Sequence, residues 1–193
     1  MEPLRISDVA VLRPYTEEDA AELTSVVAAN REHLARWLPW AATYGHQDSL
    51  DYIAKAHAQL EADDGFEGAI VAGGEIVGGA GFHAIDRVNR STSIGYWLVA
   101  EAEGKGLMTA TVRAQLDHAF GVWGLHRVVI EAVLDNARSR AIPERLGFTE
   151  EGVLRQAKLL RGRYEDAALY AMLATEWAAG VAGRGEPGSR RAP

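Results

Sequence analysis

The chain has no cysteine. Disulfides, thiolate zinc sites and a cysteine nucleophile are therefore excluded, and no metal site is expected. No apolar run approaches the ~20 residues of a membrane-crossing helix, and no secretion-signal pattern is present. A soluble, cytoplasmic protein without membrane contact is the expectation. Two phosphate-binding signatures are missing as well. There is no Walker A motif, and Gly104-x-Gly106 runs on into Leu107-Met108-Thr109 without the third glycine of a dinucleotide fingerprint. Positive charge is also in short supply. The net charge is −7, and because residues 180–193 carry +2, the remainder carries −9. That argues against direct nucleic-acid binding and is mildly compatible with a cationic substrate.

What is present suits one domain. The 193 residues are 48% hydrophobic and 24% charged, enough to bury about 70% of the surface the unfolded chain exposes. Residues 9–13 read as a strand stopped by Pro14. Helical spacing follows over 17–30 and 31–38, ended by Pro39. Asp48-Ser49 reads as the cap of a third helix with Leu50, Ile53, His57 and Leu60 on one face. Three strands come next, over 66–72, 75–84 and 92–99, the first two joined by the hairpin signal Gly73-Gly74. Gly78, Gly79 and Gly81 lie inside the second and mark a bulge or a close approach. A helix after Gly106 presents Val112, Leu116, Ala119, Phe120 and Trp123, and a strand over 127–134 follows it. Asn136 then opens a short helix containing Pro143, whose missing N–H leaves the Ser139 carbonyl without its usual partner. Long strands over 148–160 and 164–173 close the series. The order predicts an α/β (α+β) fold with a mixed sheet. Residues 1–178 form the expected domain, and 179–193, rich in Gly, Arg and Pro, are expected to be disordered.

The stretch 94–109 organises the rest. A buried aromatic strand runs into Gly104-Lys105-Gly106 and directly into a helix. Glycine allows close backbone approach, and first-turn N–H groups with the helix dipole behind them attract phosphate. Taken alone, such a turn is more often only a turn. Several stretches in order, however, resemble the GNAT acetyltransferase superfamily, and more narrowly its ribosomal-protein N-terminal acetyltransferase (RimJ/RimL) branch. They are Ile94-Gly95-Tyr96-Trp97-Leu98, Glu103 to Thr109, Asp135 to Phe148 and Glu151-Gly152, with Asn30 to Leu34 and Trp37-Leu38-Pro39-Trp40 upstream.

The resemblance implies a single-domain GNAT fold in which two adjacent parallel strands, here 92–99 and 127–134, splay apart around acetyl-CoA. It implies that backbone N–H groups of Gly104, Lys105, Gly106, Leu107, Met108 and Thr109 hold the pyrophosphate. Lys105 and Arg140 are candidate phosphate contacts, and Leu98 or Val99 supplies an N–H to the oxyanion. It further implies that Asn136 contacts the pantetheine arm and that Ser139 protonates the departing coenzyme A thiolate. Without it, Asn136 is an N-cap and Ser139 a first-turn hydroxyl.

Trp37, Trp40, His83 and Tyr96 are the candidate acceptor-binding residues. For Trp37 and Trp40, core packing is an equal alternative. The acid that relatives carry before I-G-Y-W is Ser93 here, and Gln156-Ala157-Lys158 occupies the neighbourhood of a second carboxylate, which leaves Glu131 as the candidate general base, with His83 and Tyr96 as further candidates that read more readily as packing or surface groups. A weak base suits an α-amine. Near pH 7 about a tenth of α-amines (pKa ~7.8) are already neutral, against under ~0.1% of lysine amines (pKa ~10.4). The leading expectation is acetyl transfer from acetyl-CoA to a protein or peptide N-terminus by direct attack in a ternary complex. Alternatives are a polyamine or aminoglycoside acceptor, another acyl-CoA donor, or a non-catalytic acyl-CoA sensor. A homodimer is left open.

Overall fold

The computed structural model describes residues 2–83 and 85–184. Eight strands form one mixed sheet in the order β1-β2-β3-β4-β5-β6-β8-β7. They are β1 (Leu4–Arg5), β2 (Ala10–Pro14), β3 (Phe66–Ala72), β4 (Glu75–Phe82), β5 (Ser91–Leu98), β6 (Arg127–Val133), β7 (Thr149–Leu160) and β8 (Arg163–Leu173). The helices are α1 (Asp19–Ala29), α2 (Arg31–Ala35), α3 (His46–Glu61), α4 (Leu107–Gly121), α5 (Ala137–Leu146) and α6 (Ala174–Arg184). All neighbouring strands pair antiparallel except β5 and β6, which are parallel.

Each face of the sheet carries its own core, because side chains alternate along a strand. Phe66, Ile70, Phe82, Ile94, Leu98, Val128 and Ile130 pack with Val112, Leu116 and Ala119 of α4 and Leu146 of α5. On the other face Tyr15, Ala69 and Ile76 pack with Leu23 and Val27 of α1 and Ile53 of α3, and Trp97 leans on the group.

Several local expectations are corrected. Helix α3 starts at His46, and Asp48 is its third residue; its carboxylate accepts from the Gly45 N–H at 2.8 Å. Leu50 is exposed, and Ser49 takes the inward place. The chain does not lose structure at 179, since α6 continues to Arg184. Its Trp177 is 5% exposed and donates through Nε1 to Asp117 at 2.8 Å, which ties an alanine-rich segment of good helix propensity to the core. The rest of the expected disordered tail, 185–193, lies outside the described residues.

The glycines of β4 serve both anticipated purposes. The β3–β4 register shifts between Ile70 and Val71, which is a bulge. A methyl group at Gly78 would collide with the Trp97 carbonyl, and one at Gly81 with the Glu67 carboxylate.

Candidate active site: a split strand pair with two different faces

β5 and β6 are paired only from Ser91 to Ser93, opposite Arg127 to Val129. Beyond that point each arm keeps its outer partner and loses its inner one. Val99 N donates to Val77 O at 2.9 Å and His83 N to Ser93 O at 2.9 Å. Odd-numbered β5 residues therefore point their backbone groups at β4, and the N–H and C=O of Tyr96 and Leu98 point into the split. The Val99 N–H expected at an oxyanion is thus already used, and of the two only the Leu98 N–H points into the split. On the opposite arm, Leu134 N donates to Asp166 O at 3.0 Å. The alternation then leaves the backbone of Glu131 and Val133 facing the split, a feature the side-chain reading of 127–134 missed.

The glycine turn closes one end of the split. Gly104 and Gly106 hold φ of +73° and +77°, and Gly106 is the N-cap of α4. Ala110 N is the first to bond back into the helix, to Gly106 O at 3.0 Å. The N–H groups of Leu107, Met108 and Thr109 precede it and so lack intrahelical partners. Met108 buries its side chain in the core, so only its backbone belongs to the turn. Lys105 is exposed. Two arginines not anticipated flank the turn: Arg138 pairs with Glu103, and Arg145 Nη1 donates to Thr109 Oγ1 at 2.7 Å. Arg140 is held elsewhere, its Nε on the Tyr170 hydroxyl at 2.9 Å and its Nη2 3.5 Å from both Glu144 and Glu150. Backbone groups freed by the split, unpartnered helix N–H groups and flanking arginines together fit the amides and phosphates of an acyl-CoA.

α5 meets β5 on the same face. Asn136 Oδ1 accepts from Ser139 N at 3.1 Å, as an N-cap should. Ser139 Oγ donates to the Tyr96 hydroxyl at 3.3 Å, and that hydroxyl donates to the Ser139 carbonyl at 3.2 Å. Tyr96 thus supplies the donor that Pro143 lacks. It belongs with Asn136 and Ser139, not with the acceptor residues where it was expected. Burial pushes its phenol up to about 12, against the Ser139 hydrogen bond.

The other face of β5 carries Ser93, Gly95 and Trp97. Trp40 stands edge-on to Trp97 at 6.2 Å and to Tyr44 at 5.2 Å. Trp37 lies under the Arg36 guanidinium, 5.1 Å from its ring centre. His83 Nδ1 is 2.8 Å from Ser93 Oγ, and its Nε2 is 3.8 Å from Glu67 Oε1. Glu131 projects to this face from β6, but Lys158 Nζ engages its carboxylate at 2.7 Å. Glu67 escaped notice in the sequence, although a lone carboxylate in Phe-Glu-Gly-Ala-Ile-Val-Ala is a signal. The Tyr52 hydroxyl donates to it at 3.0 Å, and burial raises its pKa to about 7 despite that bond. Among the described residues, no group of three or more His, Cys, Asp or Glu could hold a metal ion.

Comparison with known proteins agrees with this fold. Residues 10–149 match the acetyltransferase (GNAT) domain model. The chain is 34% identical to the putative ribosomal N-acetyltransferase YdaF of Bacillus subtilis (strain 168), over 90% of this chain and 96% of that protein. It is 27% identical to the ribosomal-protein-serine acetyltransferase of Escherichia coli (strain K12), over 89% and 97%. The structure of RimL, a ribosomal alpha-N-protein acetyltransferase, in complex with coenzyme A superimposes with a TM-score of 0.85 at 28% identity, covering 91% of this chain and 99% of that one. With a split strand pair, a glycine turn and a family model spanning most of its length, the chain belongs to the GNAT acetyltransferase family.

Proposed function

We propose that this protein moves an acetyl group from acetyl-CoA to the N-terminal α-amine of a protein, of the kind its ribosomal-protein-acetylating relatives use. The observation that carries it is the split itself. One face of β5 offers a phosphate- and amide-binding surface, and the other offers an aromatic, partly acidic surface to an amine. No described helix is long and apolar enough to cross a membrane, and the cytoplasm, where ribosomal proteins are made, is the proposed setting.

Acetyl-CoA, when bound, supplies an activated acetyl group whose thiolate leaves readily. The chain's own groups do the rest. The backbone of Tyr96, Leu98, Glu131 and Val133 would hold the pantetheine amides, and Gly104 to Thr109 with Arg145 the phosphates. The Leu98 N–H is placed to face negative charge developing on the acyl oxygen. Ser139 Oγ, held by Tyr96, is the proton donor on the thiolate side. Trp40 and Trp97 would grip the first residues of the acceptor and exclude water.

Coenzyme A release is the direct test, measured on peptides with free and with blocked N-termini. Turnover is expected only with the free end, and equal rates on both overturn the assignment. Ser139→Ala is expected to lower kcat by about 10² or more, whereas unchanged turnover and cofactor affinity would remove Ser139 from the mechanism.

A further inference from the structure

The one carboxylate expected as the base, Glu131, is engaged by Lys158, yet a second carboxylate lies in the site. Glu67 of β3, Gly81 of β4 and Gly95 of β5 form a row across three strands, paired Glu67 to Gly81 and Gly81 to Gly95. All three belong to the face that carries Trp97. Because Gly81 has no side chain, the Glu67 carboxylate lies across it toward β5. Because Gly95 has none, the His83 ring lies across that position, where a methyl group would stand 2.8 Å from Nε2. The two glycines form a trough that starts at a half-buried acid and ends beside the point where β5 leaves β6. At that end Glu67 Oε1 and His83 Nε2 are 3.8 Å apart. That spacing lets one ammonium nitrogen donate to both.

We propose that Glu67 and His83 form the proton-accepting pair for the acceptor amine. The α-ammonium is held between Oε1 and Nε2 above Gly95, and Glu67 takes its first proton, which leaves the nitrogen lone pair free. As the N–C bond forms and the C–S bond breaks, the nitrogen gives up its second proton to His83, and the thiolate takes one from Ser139 Oγ, which water then re-protonates. The acetyl group has then moved from sulfur to nitrogen, sulfur has gained one proton, and Glu67 and His83 return theirs to solvent, with one proton released overall.

The surroundings fit the assignment. Tyr52 of α3 donates to the carboxylate and fixes its orientation. Ser93 of β5 holds the other ring nitrogen of His83. Tyr15 places a buried hydroxyl, without a protein partner, over neighbouring Gly79. The Glu131–Lys158 pair brings no net charge to the far side. The Glu67 side chain is 19% exposed and that of His83 56%, so the acid is sheltered while the imidazole meets incoming substrate. This inference rests on the N-terminal acceptor proposed above only for the identity of the amine.

The test compares wild type and Glu67→Gln across pH 6 to 9, with coenzyme A affinity measured separately. At pH 7 the variant should lose about 100-fold in kcat and bind coenzyme A as before. At pH 9 most α-amines (pKa ~7.8) are already neutral, so the deficit should shrink below about tenfold. In the cofactor-free protein, the ¹⁵N resonances of the His83 ring should move with a free-N-terminus peptide and not with its blocked counterpart. Turnover within twofold of wild type at pH 7, an equal deficit at pH 9, or an unmoved His83 signal overturns the assignment. If Glu67→Gln fails to bind coenzyme A, Tyr52→Phe is read instead, and an unchanged pH profile there overturns it too. If wild type prefers another amine, the N-terminal acceptor falls. The same comparison on that amine then decides Glu67 by itself.

Discussion

Pro143 shows how much one residue can demand of another far away in the chain. It sits inside α5 and cannot donate to the Ser139 carbonyl. The Tyr96 hydroxyl does so at 3.2 Å, and Ser139 Oγ returns a bond to it. The proline thus recruits a β5 side chain to hold the helix that carries the proposed proton donor. Tyr96→Phe should lower stability by about 1–2 kcal/mol, the cost of a carbonyl left without a partner, or about 3–6 °C in Tm for a chain of this size. In a Pro143→Ala background the peptide N–H returns and the same substitution should cost under about 0.5 kcal/mol. A double-mutant cycle by thermal unfolding measures the difference, and equal penalties in both backgrounds would separate Tyr96 from Pro143. The missing N–H was legible in the sequence. Its replacement was not, because nothing local announces a partner 43 residues upstream.

At the scale of the element, β4 and β5 are built around absent side chains. A methyl group at Gly78 meets the Trp97 carbonyl, which is backbone and cannot move without parting the strands. At Gly95 it meets His83, the end of a half-exposed side chain. Gly78→Ala should therefore cost several kcal/mol and impair folding. Gly95→Ala should change Tm by only a few degrees while cutting turnover at least tenfold, because it displaces the imidazole. Circular dichroism melts beside the coenzyme A release assay separate the two outcomes. The positions of most strands, the glycine turn and the Asn136 cap were readable because they rest on local chemistry: alternation, positive φ and N-capping. The Glu67–Gly81–Gly95 row depends on register between three strands, which a linear sequence does not state. Arg140 illustrates the same limit, since it follows Ser139 in the motif but is turned toward Tyr170 by the pairing of β6 with β8.

For the whole molecule, a sheltered acid has a cost that varies with pH. Burial raises Glu67 from an ordinary 4.5 to about 7. Between those values the folded chain holds more protons than the unfolded one, so stability falls as pH rises through that window. Glu67→Gln should abolish this slope and be more stable than wild type above pH 7, with the gap closing by pH 4.5. Tm measured at pH 4.5, 6 and 7.5 checks the sign, and a wild type that gains stability over that range relative to the variant would contradict it. A carboxylate kept at such a cost is the trade expected where activity asks for what folding resists.

The alternation along β5 has one more consequence. Ile94, Tyr96 and Leu98 serve the surface proposed for the acyl donor, and Ser93, Gly95 and Trp97 serve the one proposed for the amine. The two sets interleave in sequence without sharing a side. Substitutions at odd positions can change which amine is accepted and leave donor recognition untouched, so a lineage can acquire new acceptors by point mutation. A one-residue insertion is a different matter, because it would exchange the two surfaces along the strand at a stroke.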